Sequence, residues 1–186
     1  MKALIYALLL LALGCGKNFK DGVHEAEPLF SKTQNKNEFL KEAMEFTVLE
    51  NLTITDKSKQ KSTMIEADNI MNSIPINLYD VKSLYPKEGF VAVCRKSSKS
   101  GRREILVDRN FWNSNSSYHT VLILHELGHC RLGREHLAAS GGCRHIMESS
   151  LISLYNPSDE RIKSYFAYDL FKPINPCVPL EKYITP

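Results

Sequence analysis

The sequence predicts a single α+β domain. Three observations support this prediction: a stretch of helical apolar spacing at 36–52, β-rich runs at 89–96 and 103–108, and a largely apolar helix at 118–132. A chain of 186 residues with 43% hydrophobic side chains is long enough for one core and too short for two.

The N-terminus has the features of an export signal. Residues 1–14, MKALIYALLLLALG, carry the basic Lys2 and then an apolar run that is too short to cross a bilayer. The segment LALGC that ends at Cys15 resembles the lipobox of bacterial lipoproteins. That resemblance implies lipidation of Cys15 and a lipid anchor in a membrane of the bacterial cell envelope, on the periplasmic side or at the surface. Secretion without a lipid is the alternative.

The next segment separates this signal from the domain. Residues 16–34 lack apolar periodicity, so we predict that Cys15 and these residues, 15–34, form a lipidated and flexible tether. The domain is then predicted to span residues 35–186.

The first half of the domain contains two predicted helices and a strand. Phe39, Ala43 and Phe46 lie at helical spacing, which predicts an amphipathic helix over 36–52. A second helix is expected around Met64 to Met71, and IPINLYDV at 74–81 reads as a strand.

A predicted hairpin follows. GFVAVCRK at 89–96 and REILVD at 103–108 are separated by SSKSG, which is typical of two strands joined by a turn. Its basic side chains are interpreted as a solvated loop; they are Lys96, Lys99, Arg102 and Arg103.

The next predicted helix carries most of the histidines. The hydroxyl of Ser116 or Ser117 is expected to cap YHTVLILHELGHCRL, which should end at Gly133 in the left-handed conformation. The unbroken apolar run from Val121 to Leu124 indicates a helix buried on most sides.

This helix has the spacing of a zinc site. His125 and His129 are four residues apart, so both imidazoles project from one face and can bind one ion. Glu126 lies about 100° around the helix, where it could take a proton from a water bound to the metal. The segment therefore predicts two ligands and a general base of a zinc peptidase.

HELGHCRLGREH, residues 125–136, resembles the zinc-binding motif of metzincin peptidases, in which a glycine turns the chain toward a third histidine. The resemblance implies that Gly133 makes the turn and His136 completes the site. Both lie one residue further from His129 than in most metzincins, which we interpret as one more helical residue before the turn. Glu135, where a strict count puts the ligand, is the alternative.

The downstream sequence extends the resemblance. CRHIMESS at 143–150 is similar to the metzincin Met-turn, which implies that Met147 packs beneath the histidines. Capping residues and the helical spacing of Ile162, Phe166 and Leu170 predict a helix at 156–173. The resemblance implies a mixed, twisted sheet with an early helix, an active-site helix and this C-terminal helix. It also implies that an edge strand, for which 103–108 is the candidate, pairs with an extended substrate.

Other histidines and acidic residues are weaker candidates. His145 precedes Met147 by two residues, and Glu148 would be the third ligand only if the chain resembled the gluzincin class instead. His24 and His119 are interpreted as surface residues.

Four cysteines remain after Cys15, an even number in a chain predicted to be exported, so two disulfides are expected. Three pairings are open. We favour Cys94 with Cys130 and Cys143 with Cys177, because the first would tie a strand end to the histidine-bearing helix.

Together these observations predict a zinc-dependent endopeptidase that acts on proteins or peptides, with His125, His129 and His136 holding Zn²⁺ and Glu126 as the general base. A net charge of +3 argues against nucleic acid as a partner, and we expect a monomer. The alternative is a non-catalytic envelope lipoprotein, an adhesion or binding module with a structural or vestigial zinc site. Retention of Glu126 disfavours it, because a structural site needs no such carboxylate.

Overall fold

The computed structural model describes residues 23–26, 36–136, 146, 147 and 166. Five α-helices and four strands lie in this part of the chain, with 3₁₀ turns at Lys57–Lys59 and Ser116–Tyr118. The prediction of an α+β fold with an early helix and a mixed sheet is confirmed. In chain order the elements are β1 Val23–Ala26, α1 Lys36–Leu52, α2 Thr63–Ser73, β2 Ile76–Tyr79, α3 Val81–Leu84, β3 Ala92–Ser97, β4 Arg103–Asp108, α4 Arg109–Ser114 and α5 His119–Cys130.

The four strands form one sheet in the order β1-β3-β4-β2. β3 and β4 are antiparallel neighbours, as the hairpin prediction requires, whereas β1 runs parallel to β3 and β2 runs parallel to β4. The prediction that residues 103–108 form the edge strand is therefore wrong. β4 is paired on both sides, so its backbone groups have no free side for a peptide.

The segment 16–34, predicted to be a tether, contains a strand. Val23–Ala26 forms β1 at the edge of the sheet and pairs with β3, Val23 opposite Cys94 and Ala26 opposite Ser97. For these four residues the expectation of a segment without secondary structure is wrong.

The two faces of the sheet are covered differently. Residues alternate across each strand, so Cys94 and Ile105 point into the main core with α1, α2 and α5, whereas Val93 and Leu106 pack with Val81 of α3 on the other face. The apolar face predicted for α1 is confirmed, since each of its three predicted core residues has no exposed surface: Phe39, Ala43 and Phe46.

Local hydrogen bonds explain a helix that the apolar pattern does not reveal. Asp108 ends β4 and its carboxylate accepts a hydrogen bond from the backbone N–H of Phe111, which caps α4. Trp112 of α4 is buried and its indole N–H donates to Glu38 of α1 at 2.8 Å.

The start of α5 differs from the prediction. Ser116 and Ser117 lie in a 3₁₀ turn, and Tyr118 occupies the N-cap position, where no side chain caps the helix. His119 is not simply a surface residue: its ring stacks on Trp112, with 3.4 Å between centroids, and its Nε2 lies 2.7 Å from the Trp112 carbonyl oxygen.

Phe166 marks the region of the predicted C-terminal helix. It is helical and packs edge-to-face on Phe46 with 5.2 Å between ring centroids, while the rest of 156–173 lies outside the described residues. Within the described part of the chain, no helix has the length and apolar character needed to cross a membrane.

Candidate metal centre

The helix α5 is held against the sheet from several sides. Every residue from Val121 to Cys130 is buried. A disulfide joins Cys130 to Cys94 of β3, which is the pairing that the sequence analysis favours. The guanidinium of Arg103 donates to the backbone carbonyl of Cys130 at 2.6 Å, so Arg103 supports the helix. The prediction that Arg103 belongs to a solvated loop is wrong.

Past the end of the helix, Arg131 forms an ion pair with Glu66 of α2 and lies over the ring of Phe46, 5.8 Å from its centroid. The C-terminal end of α5 is therefore attached to both the sheet and the neighbouring helices. A helix fixed in this way presents its side chains in a constant geometry.

The three histidines that the sequence singles out converge on one point. The Nε2 atom of His125 lies 3.0 Å from Nε2 of His129 and 3.1 Å from Nε2 of His136, and the third separation is 3.2 Å. His125 and His129 are buried and His136 is half-buried. These three imidazoles could hold a metal ion between them.

The backbone fixes the tautomers of the two helix-borne histidines. Nδ1 of His125 lies 2.7 Å from the carbonyl oxygen of Ile146, and Nδ1 of His129 lies 2.6 Å from that of Arg134. A carbonyl oxygen only accepts hydrogen bonds, so each Nδ1 carries the proton, and in the neutral ring Nε2 is left with a lone pair. Two such lone pairs facing each other at 3.0 Å repel unless a cation lies between them.

This arrangement fits a divalent metal ion well. Imidazole nitrogens bind zinc at about 2.0–2.1 Å, which places the nitrogens of a tetrahedral site about 3.3 Å apart. The separations between the three Nε2 atoms are only slightly smaller. Nδ1–H groups held by carbonyl oxygens are also the usual outer support of metal-binding histidines.

The chain leaves α5 through a wide turn. The helix ends at Cys130, before the predicted end at Gly133. The carbonyl of Leu127 accepts hydrogen bonds from the N–H groups of both Arg131, at 2.8 Å, and Leu132, at 3.2 Å. The residue that the sequence analysis assigns to a longer helix therefore lies in a turn that is partly of the wider i to i+5 type.

Gly133 then reverses the chain, as predicted. Its φ of 65° is in the left-handed region that favours glycine. The N–H of Arg134 returns to the carbonyl of Gly128 at 2.9 Å, which brings the following residues back over the histidine face of the helix. His136 reaches the cluster by this route, whereas Glu135 is exposed and is not a member of it.

Glu126 is buried beside the histidines on the same helix, with 5% of its surface exposed. Burial raises the pKa of its carboxyl group to about 8, although the backbone N–H of Cys94 donates to it and lowers the pKa in part. Its Oε2 atom has no hydrogen-bond partner among the described residues. The carboxylate is thus held by one bond at the strand β3 and keeps one oxygen available.

The predicted Met-turn is described at two residues only. Ile146 and Met147 lie in a turn and are buried in the main core, and the Ile146 carbonyl is the one that holds His125. Several other predicted site residues lie outside the described part of the chain: Cys15, Cys143, His145, Glu148 and Cys177.

Sequence reasoning missed the groups that support the ligands. The carbonyls of Ile146 and Arg134 are backbone atoms, which have no residue signature. The sequence shows Arg103 as one of several basic side chains near a turn, and its position at the start of β4 is the signal that places it inside the domain.

Comparison of the chain with protein-family models, with curated proteins and with solved structures finds no match. The assignment of the candidate metal centre therefore rests on the geometry of its own residues.

Proposed function

We propose that this protein is a zinc-dependent endopeptidase of metzincin-like fold. The observation that carries the proposal is the convergence of three imidazole Nε2 atoms on one point. Two of these imidazoles, those of His125 and His129, have fixed lone pairs and lie on the same helix as the buried carboxyl group of Glu126. A set of three nitrogen ligands is typical of catalytic zinc, because it leaves a fourth position for water or substrate.

His125, His129 and His136 would hold the ion, which when bound supplies a Lewis acid that activates water and polarises a peptide carbonyl. Glu126 would take the proton of the attacking water and then pass it to the leaving amine. The Cys94 N–H orients the carboxylate through one oxygen, and the other oxygen is free of partners among the described residues and can receive the proton.

The side of β3 that faces β1, which β1 leaves uncovered at Ala92, is the place where a substrate backbone would lie. β3 holds the Glu126 carboxylate through Cys94, so a peptide paired with this side would pass beside the proposed base. Pairing through backbone groups requires an extended chain, which makes a protein or peptide in extended conformation the substrate class.

We place the proposed enzyme at the bacterial cell envelope. The signal-like residues 1–14 and the lipobox-like sequence before Cys15 support an enzyme anchored by lipid to a bacterial envelope membrane, with the domain outside the cytoplasm. A disulfide within the domain agrees with an oxidising compartment.

Substitution of Glu126 tests the catalytic assignment. We expect zinc-loaded native protein to cleave members of a peptide library and Glu126→Gln to lose at least about a hundredfold of that rate, because general-base catalysis contributes about that much. Glu135→Gln is the matched control, since Glu135 is exposed on the adjacent turn. Zinc content by mass spectrometry should be the same in all three proteins.

Equal cleavage by the native protein and Glu126→Gln would disprove the role of Glu126. Absence of cleavage by the native protein, with zinc bound, would instead favour the non-catalytic binding module.

A further inference from the structure

The edge of β3 beside Glu126 is already partly occupied by the chain itself. β1 consists of only four residues, Val23–Ala26, and the sequence places nine residues between it and α1. It pairs with β3 alone, because it is the outermost strand of the sheet. This strand is therefore attached to the fold through one ladder.

The hydrogen bonds between β3 and β4 identify which groups of β3 face β1. The N–H of Asp108 donates to Val91 and the N–H of Ser97 donates to Arg102, so the odd-numbered residues of β3 bond to β4. The backbone groups of the even-numbered residues consequently point to the outer edge; these residues are Ala92, Cys94 and Lys96.

The outer edge passes the proposed base at the point where β1 begins. The Cys94 N–H, which points outward, donates to the Glu126 carboxylate, and Cys94 is opposite Val23, the first residue of β1. β1 then covers β3 from Cys94 to Ser97 and leaves Ala92 uncovered by β1.

We propose that residues 23–26 are an internal, displaceable strand that covers four of the six residues of β3 along its peptide-binding edge and inhibits the site. This inference rests on the proposed function and adds regulation to it. An extended substrate that pairs with β3 on both sides of Glu126 needs the ladder positions that β1 occupies. The substrate and β1 therefore compete for the same backbone groups.

The parallel register also identifies which residues of β1 make the ladder. With the Cys94 and Lys96 groups pointing outward, the N–H groups of His24 and Ala26 face β3 and that of Glu25 faces away. Proline has no N–H but is compatible with an extended edge strand. Proline at 24 or 26 therefore removes a ladder bond, whereas proline at 25 does not.

The test compares the full-length variants His24→Pro, Ala26→Pro and Glu25→Pro with the native chain, all loaded with zinc. A fluorescently labelled synthetic peptide with the sequence of residues 21–28, DGVHEAEP, serves as the probe of the β3 edge. Loss of one ladder bond should raise the affinity for this peptide, and the rate of library cleavage, by about fivefold in His24→Pro and in Ala26→Pro. Glu25→Pro should resemble the native chain.

Peptide binding separates the two proposals, because it needs no catalysis. Unchanged peptide affinity in both ladder variants, or an equal change in Glu25→Pro, overturns the internal strand. Increased peptide affinity without cleavage in any protein supports the internal strand and argues against the peptidase. Thermal denaturation of each variant checks the fold, and two independent ladder positions keep the test decisive if one variant unfolds.

Discussion

Two backbone carbonyls determine the chemistry of the two helix-borne histidines. By accepting from Nδ1 of His125 and of His129, the carbonyls of Ile146 and Arg134 direct both Nε2 lone pairs to one point. His136 approaches the same point from the turn after α5. The site thus combines two rigid ligands from a buried helix with one ligand whose position depends on the following turn.

Substitution of His136 tests the third ligand. Because the His136 Nε2 atom is within 3.2 Å of both other nitrogens, His136→Ala should lose most of the bound zinc, with at least about a hundredfold weaker affinity, since it removes one of three ligands directly. Glu135→Ala should keep it, because Glu135 is exposed. Zinc content after dialysis, measured by mass spectrometry, checks this. Zinc loss in Glu135→Ala alone would contradict the assignment.

For individual residues, the sequence predicts those members of the candidate site whose positions follow from helical spacing. The spacing of His125, Glu126 and His129 follows from helical geometry alone, so it could be predicted. The choice between Glu135 and His136 could not be made by counting, because it depends on how the backbone turns after Cys130.

The turn after α5 is the element that completes the cluster. Gly133 is in the left-handed conformation, and no atom of the described residues lies within 4 Å of where its Cβ would be. An alanine there is therefore disfavoured by its backbone conformation and not by a steric clash. Gly101, in the turn between β3 and β4, has the same conformation and the same open surroundings.

These two glycines give a matched pair of variants. Gly133→Ala and Gly101→Ala should each lower the free energy of unfolding by about 1–2 kcal/mol, because each strains a left-handed position. Only Gly133→Ala should also weaken zinc binding, since only that turn positions His136. Chemical denaturation and competition with a chelator measure the two effects. Equal zinc affinity in both variants would show that the turn does not position the ligand.

The sequence predicts the positions of helices and strands along the chain better than it predicts which strands are adjacent in the sheet. The periodicity of Phe39, Ala43 and Phe46 predicts α1, and two β-rich runs separated by a turn sequence predict the hairpin strands. Periodicity does not encode strand order, so the sequence could not show that β4 lies between β3 and β2, or that Val23–Ala26 joins the sheet. The run REILVD is buried on both faces, which is more typical of an interior strand.

For the whole molecule, a disulfide connects the sheet to the histidine-bearing helix α5. The Cys94–Cys130 disulfide closes a loop with a sequence separation of 36, and its two ends are next to the Glu126 contact and to His129. Cross-links of this span stabilise a domain by restricting its unfolded chain.

Removal of this disulfide should therefore be costly. The double variant Cys94→Ala/Cys130→Ala is expected to lose about 3–4 kcal/mol of unfolding free energy, because the unfolded chain regains the freedom that the loop removed. The corresponding fall in Tm is about 10 °C, measurable by circular dichroism. A fall below about 2 °C would show that the bond contributes little to stability.

The donor atoms of the three histidines determine which metal ions the cluster can select. In their neutral form the three imidazoles offer nitrogen donors and no charge. Magnesium and calcium prefer oxygen donors and gain little from such a set, whereas zinc, copper and nickel bind imidazole strongly. A nitrogen-only centre therefore rejects hard cations by ligand chemistry, with no need for a cavity that sorts ions by size.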